Sequence, residues 1–413
     1  MKPRPVDDAV SMAVVGVIVP DEPRFHGAAF NRAAQMFQVE LLRGMERAGL
    51  PATAVFSVEP IPGFPRSRRL FGKRGDETTA SGLRVRLLPF VNVLALKSLT
   101  VGASVLLALL AWAWRHRHRE RIIHVFNLTM PPGIAVWLAA RLSGSRITVS
   151  VMDVWRPGAI VPDTLPWRVD FLVQRHLLPR LDGHMVVSPA IGDDFVPGRR
   201  VCVIEGGIAA ERFPARPAAV ESAPARAPRR FRIVLSGSLE PYNGVDLAID
   251  AMRSLPEDCE LVIAGAGTLA QRAADAAAAD DRIVWKGFLS FDEVLVLYAS
   301  ADLLLNARIT QAMDTRYFFP SKLMELLASG TPVLSTCTGQ VEAEYGDVLY
   351  LLREETPQAL AVRILDIRAN DLETRRTLGA RARAFMLREK TWDRQGQRLA
   401  DYMMREVLGR SPR

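Results

Sequence analysis

The sequence predicts an α/β chain of two doubly wound, Rossmann-like domains with parallel sheets. Three observations predict it. The chain has 413 residues, where one ordinary domain takes about 100–200. Short apolar runs, most of them β-branched, recur at helix-length spacing, as parallel strands buried on both faces and joined by crossover helices do. The runs form two series, parted at 214–229 by a stretch rich in Pro, Ala and Arg with the composition of a linker.

The first series places strands at 13–19, 52–58, 83–88, 121–126, 146–152, 184–187 and 201–204, with a helix at 32–48 after the first. The second places them at 231–236, 260–264, 282–285, 302–305, 332–335 and 348–351. The expected domains are therefore 1–213 and 230–391, joined by 214–229. A last helix, about 392–408, begins after the second sheet is complete.

Composition narrows the classes. Hydrophobic residues make up 49% and charged residues 24%, which supplies large cores and excludes a disordered chain. The net charge of +8 suits anionic partners such as nucleotides or lipid headgroups. Cys202, Cys259 and Cys337 lie far apart, which excludes a disulfide framework or CxxC metal site and fits a reducing cytosol. The N-terminal MKPRPVDDAV has no apolar core of a signal peptide. No basic stripe interleaved with aromatics occurs, so nucleic acid is not an expected partner, and the basic run 66–74 reads as a solvated loop.

Residues 98–114 (SLTVGASVLLALLAWAW) carry no charge and lead into Arg115, Arg117 and Arg119. A bilayer span takes about 20 apolar residues, which puts this segment at the lower limit. A core helix feeding the strand at 121–126, an interfacial helix whose basic end touches anionic lipid, and a short span all fit.

The second half carries the chemistry. Leu235 to Gly244 (LSGSLEPYNG) leaves a strand and enters a helix. Its glycines Gly237 and Gly244 permit a tight turn and close approach to a ligand, and a helix start offers free amides to an anion. Gly265 and Gly267 end the next strand, without the third glycine of a dinucleotide fingerprint. Lys286, Gly287 and Phe288 end another, where the backbone could edge a nucleobase or simply turn. In FPSKLMELLASGTPVLS, Pro320 suits a helix start, and Gly330 with Pro332 suits its end. Lys322 and Glu325 share a face there: a cation for a diphosphate with a carboxylate for ribose hydroxyls, or a plain i,i+3 ion pair.

SGSLEPYNGVDLAIDAM, ELVIAGAG, RIVWKGFLSFDEVLVLYASADLLL and FPSKLMELLASGTPVLS, in this order over about 230–335, resemble the retaining glycosyltransferases of the GT-B fold, in particular family 4. MVVSPAIGDDF and VCVIEGGIAAERF resemble, more faintly, the end of that family's first domain. The helix at 392–413 resembles its closing helix, which crosses back onto the first domain. The resemblance implies two domains facing each other across a cleft, with a nucleotide-sugar donor mainly on the second and the acceptor mainly on the first. It implies donor contacts at Gly237, Ser238, Asn243, Gly265, Phe288, Ser321, Lys322, Leu323 and Glu325.

The chain departs from that family's pattern at three places. The first glutamate of E-x7-E falls on Tyr317, the lysine of the diphosphate pair on Asn243, and the histidine of a His-Asp pair on Met152. Lys322 is expected to replace the missing cation. In the first domain, the loop from Phe25 to Asn31 (FHGAAFN) resembles the family's glycine-containing loop. His26 and Asp153, with Glu325, are the expected catalytic groups, and Gly27 and Asn31 the expected acceptor-side ones. Asn127 is expected to cap a helix at 131–140.

The expected reaction is transfer of a sugar, with retention, to a glycan or lipid-linked acceptor in cell-surface polysaccharide or glycolipid synthesis. No metal and no cofactor beyond the donor are expected. The expected location is the cytoplasm, at the inner face of the membrane. The alternatives are a nucleotide-sugar epimerase or hydrolase of the same fold, or a polysaccharide-assembly protein that has lost catalysis.

Overall fold

The computed structural model describes residues 9–22, 25, 30–129, 132–154, 156–157, 161–213, 229–311 and 315–411. The expected linker, apart from Arg229, and the expected site residues His26 and Gly27 lie outside the described residues. The chain divides into two compact units, Met1–Gly207 with Trp392–Arg413, and Ile208–Thr391.

In the first unit the elements run β1 (Val10–Gly16), α1 (Arg32–Arg47), β2 (Ala52–Ser57), β3 (Gly75–Thr78), β4 (Arg84–Leu87), α2 (Leu94–Arg115), β5 (Glu120–Phe126), α3 (Pro132–Ser143), β6 (Arg146–Val151), α4 (Leu165–Leu177), β7 (Gly183–Val186), α5 (Pro189–Phe195) and β8 (Cys202–Val203). The sheet order is β3-β4-β2-β1-β5-β6-β7-β8, parallel except where β3 runs antiparallel to β4.

Three expectations need correction here. The first strand ends at Gly16 rather than at residue 19. The amides of Val17, Ile18 and Val19 leave the ladder for side chains, donating to Gln38 Oε1, Ser57 Oγ and Gln35 Oε1 at 3.2, 2.9 and 2.8 Å. Strand β3, sequence GDET, was not expected, because a polar edge strand has no apolar run to announce it. The segment 98–114 is not a core helix: α2 buries Val101, Val105, Leu109, Trp112 and Ala113, but only 28% of its apolar window is covered.

The second unit runs β9 (Phe231–Ser236), α6 (Val245–Ala251), β10 (Cys259–Ala264), α7 (Ala270–Ala279), β11 (Ile283–Trp285), α8 (Phe291–Ser300), β12 (Leu303–Asn306), α9 (Lys322–Ala328), β13 (Val333–Thr336), α10 (Val341–Tyr345), β14 (Tyr350–Leu352), α11 (Pro357–Ala369) and α12 (Leu372–Glu389). Its sheet is fully parallel, in the order β11-β10-β9-β12-β13-β14. Side chains alternate across it as the pleat requires. Phe231, Ile233 and Leu235 pack under α6, α7 and α11, while Val234 packs with α8, α9 and α12 on the other face.

The chain then returns to the first unit as α13 (Trp392–Tyr402), continued by one wide helical turn, Met403–Val407. Its contact with α1 needs two glycines. A Cβ on Gly44 would lie 2.2 Å from the Trp392 carbonyl oxygen, and one on Gly396 would lie 2.1 Å from the Gly44 carbonyl carbon. The Trp392 ring meets Phe37 edge-on at 5.1 Å.

In both sheets the strand order reverses beside the first strand of the series, between β1 and β5 and between β9 and β12. The carboxyl ends of such strand pairs leave a crevice that the crossover connections do not fill, and ligands of open α/β sheets bind there.

Candidate active site

In the second unit the loops at this reversal come from the ends of β9 and β12 and from the start of α9. The glycines after β9 approach backbone rather than open space. Gly237 donates to the Ala264 carbonyl at 2.9 Å. A Cβ on Gly265, whose φ is +145°, would lie 1.8 Å from the Gly237 carbonyl oxygen. Their first duty is thus to let the β9 and β10 loops touch. Asn243 stands where the resemblance places a lysine, and its Nδ2 donates to the Ser238 carbonyl at 2.7 Å. It closes its own loop and adds no charge. The Ser238 side chain is exposed, and Phe288, beyond β11, is 82% exposed.

A polar chain crosses the reversal. Ser236 Oγ, at the tip of β9, lies 2.6 Å from the hydroxyl of Tyr298 on α8. The Lys322 ammonium stands 5.7 Å from the centroid of the Tyr298 ring and donates to Glu325 Oε2 at 2.7 Å. Burial works to lower the Lys322 pKa, and its interactions with Tyr298 and Glu325 outweigh it, so the pKa is raised. Burial likewise raises the Tyr298 hydroxyl, against Lys322, which lowers it. At neutral pH the lysine is charged and the phenol neutral. Both Lys322 and Glu325 remain about one-third exposed, so the pair is open to a ligand on one side.

The expectation for α9 needs trimming. Leu323 is fully buried, and its amide donates to the Pro320 carbonyl at 2.8 Å. Met324 donates to Ser321 at 3.2 Å. The tight first turn therefore uses these amides itself, and Leu323 has nothing to offer a ligand. The Ser321 side chain is exposed and makes no capping bond.

One residue that sequence reasoning missed completes the site. Arg308 follows β12, and its guanidinium lies between two rings, 5.3 Å from Tyr242 in the β9 loop and 4.2 Å from Phe318 just before α9. Its Nε is buried without a hydrogen-bond partner. Burial presses its pKa downward, and no carboxylate opposes that shift. An arginine stays charged regardless, so a partly desolvated cation stands at the reversal with donors to spare. The signal was a lone arginine directly after the apolar LLLNA strand, at a strand's carboxyl end. Tyr298 gave no such signal, since its helix reads as apolar. Tyr317, in the first-glutamate position, is buried.

In the first unit, Asn31 Oδ1 accepts from the Ala34 amide at 3.0 Å and caps α1. Asn127 does not cap α3. It adopts φ +53°, and its Oδ1 accepts from the Met152 amide at 2.8 Å, tying the ends of β5 and β6 together. Asp153 reaches solvent, yet incomplete hydration raises its carboxyl above the ordinary range, against a bond from Asn127 that lowers it. The structure brings Asp153 beside Asn127, and Lys322 beside Glu325. Among the described residues no group of three or more His, Cys, Asp or Glu side chains could hold a metal.

Residues 230–370 match the family model described as glycosyl transferases group 1. A search of curated proteins finds no match. Among solved structures, the chain is similar to Anabaena HepE in complex with UDP, at 16% identity and a TM-score of 0.66, covering 95% of this chain and 99% of that one. It is similar to sucrose-phosphate synthase from Thermosynechococcus elongatus, at 16% identity and a TM-score of 0.64, covering 97% and 99%. It is also similar to a glycosyltransferase from Rickettsia africae, at 13% identity and a TM-score of 0.65, covering 97% and 100%. At these identities the likeness concerns the fold, which is GT-B.

Proposed function

We propose that the protein transfers a sugar, with retention of configuration, from a nucleoside-diphosphate sugar to a glycan or lipid-linked acceptor. The observation that carries this reading is the Lys322–Glu325 ion pair at the start of α9 together with a second cation, Arg308, held between the Tyr242 and Phe318 rings after β12. A nucleoside diphosphate presents what this set recognises: two charged phosphates and two vicinal ribose hydroxyls. The group 1 match covers these same residues, and UDP is present in the HepE structure.

In this reading Arg308 and Lys322 hold the diphosphate and stabilise the charge that grows on it as the glycosidic bond breaks. Glu325 accepts from the ribose hydroxyls and shares Lys322 with the phosphate. The departing diphosphate takes the acceptor's proton on the face from which it leaves, so the sugar keeps its configuration without a protein nucleophile. Asp153 and His26 are proposed to orient the acceptor hydroxyl and the sugar, with Asn31 and Gly27 beside them. The two side-chain cations take the place of a metal, so a chelator should leave the rate unchanged. Incubation with UDP- and GDP-sugars tests the proposal. Sugar moved to an acceptor supports it; an isomer, free sugar alone, or no turnover contradicts it.

A further inference from the structure

Helix α2 is apolar on the side where a surface helix of a water-soluble protein is polar. At about 100° per residue, Leu96, Leu99, Leu107 and Trp114 fall within an arc of about 80°, opposite the buried Val101, Val105, Leu109 and Trp112. Leu99, Leu107 and Trp114 are 69%, 66% and 68% exposed. On α3, which packs beside α2, Leu138 and Leu142 are also exposed, one turn apart. Three polar side chains of α2 bond to the protein's own carbonyls, while Ser98 is exposed. Lys97 Nζ donates to the Ile61 carbonyl, Thr100 Oγ1 to Leu96, and Ser104 Oγ to Pro89. Apolar surroundings would therefore leave Lys97, Thr100 and Ser104 with their partners.

Cations collar this face. Arg115 ends α2, and Arg117 and Arg119 follow in the turn after it. Arg117 stacks on Trp114 at 4.9 Å, and Arg141 of α3 stands over Trp137 at 6.0 Å. Leucines flanked by tryptophan and arginine match the layering of a bilayer surface, with acyl chains below and anionic headgroups above. The charge also argues against a second copy of the chain, because a symmetric pairing would bring like-charged collars together.

A span is excluded by topology. Helix α2 is the crossover between β4 and β5, two strands of one sheet, and crossing a bilayer would separate its ends by about 30 Å of hydrocarbon and open that sheet.

We propose that the exposed face of α2 and α3 docks on a lipid bilayer bearing anionic headgroups, lying in its surface. The inference is independent of the donor reading, since it concerns the first unit alone.

Flotation with phosphatidylcholine vesicles, with and without phosphatidylglycerol, at low and high salt tests it. The full chain should bind the anionic vesicles, with the bound fraction falling as salt rises. Arg117→Ala and Arg119→Ala should each lower the partition coefficient about fivefold. The double variant Leu99→Glu with Leu107→Glu should abolish binding while its circular dichroism and melting temperature hold, since both sites are exposed. Absence of binding to anionic vesicles at low salt overturns the proposal. So does unaltered binding by the double glutamate variant, or a dimer in light scattering that this variant disperses without any vesicle binding.

Discussion

His124 shows how one residue can carry a pH dependence. It is fully buried, with Nδ1 2.9 Å from Thr148 Oγ1 and Nε2 2.9 Å from Ser150 Oγ, and burial lowers its pKa from 6.5 to about 3. Above pH 6.5 it is neutral whether folded or not and adds no pH dependence. Below 6.5 only the unfolded chain takes the proton, so stability falls as the pH drops, by about 2 kcal/mol at pH 5. His184 shifts the same way through burial and adds to the slope. Urea titration at neutral and mildly acid pH should show a shallower dependence for His124→Gln; equal slopes would contradict the assignment. At the candidate site, Lys322 and Glu325 were legible because three-residue spacing fixes a shared helix face. Arg308 was not, because its partners Tyr242 and Phe318 come from two other loops, and only folding brings those together.

Elements were legible where burial was two-sided. β9 begins and ends where its apolar run does, whereas β3 lacks such a run and was missed. Helix α2 was ambiguous for the same reason: an apolar sequence does not say which of its faces meets protein. The α1–α13 contact was outside the reach of periodicity, since Gly44 and Gly396 matter for the side chains they lack. Gly44→Ala should displace α13 and lower the stability of the first unit by about 1–3 kcal/mol, read as a lower melting temperature. An unchanged melting temperature would mean that the helices do not approach as closely as the Gly44–Gly396 contact requires.

For the whole molecule, chain order and unit order differ. The second unit is inserted between Gly207 and Trp392 of the first, so the ends of the first unit are joined through it. Composition and strand spacing made the two sheets legible, and the resemblance placed the last helix with the first unit, as observed. In the proposed function the second unit grips a nucleoside diphosphate through Arg308, Lys322 and Glu325. Calorimetric titration of the full chain and of Arg308→Ala with UDP, GDP, ADP and dTDP tests this most directly. At least one nucleotide should bind the unaltered chain, and Arg308→Ala should weaken that binding about 10–100-fold with the melting temperature of the free protein preserved. Binding of none of the four, or equal affinity in the variant, would contradict the account.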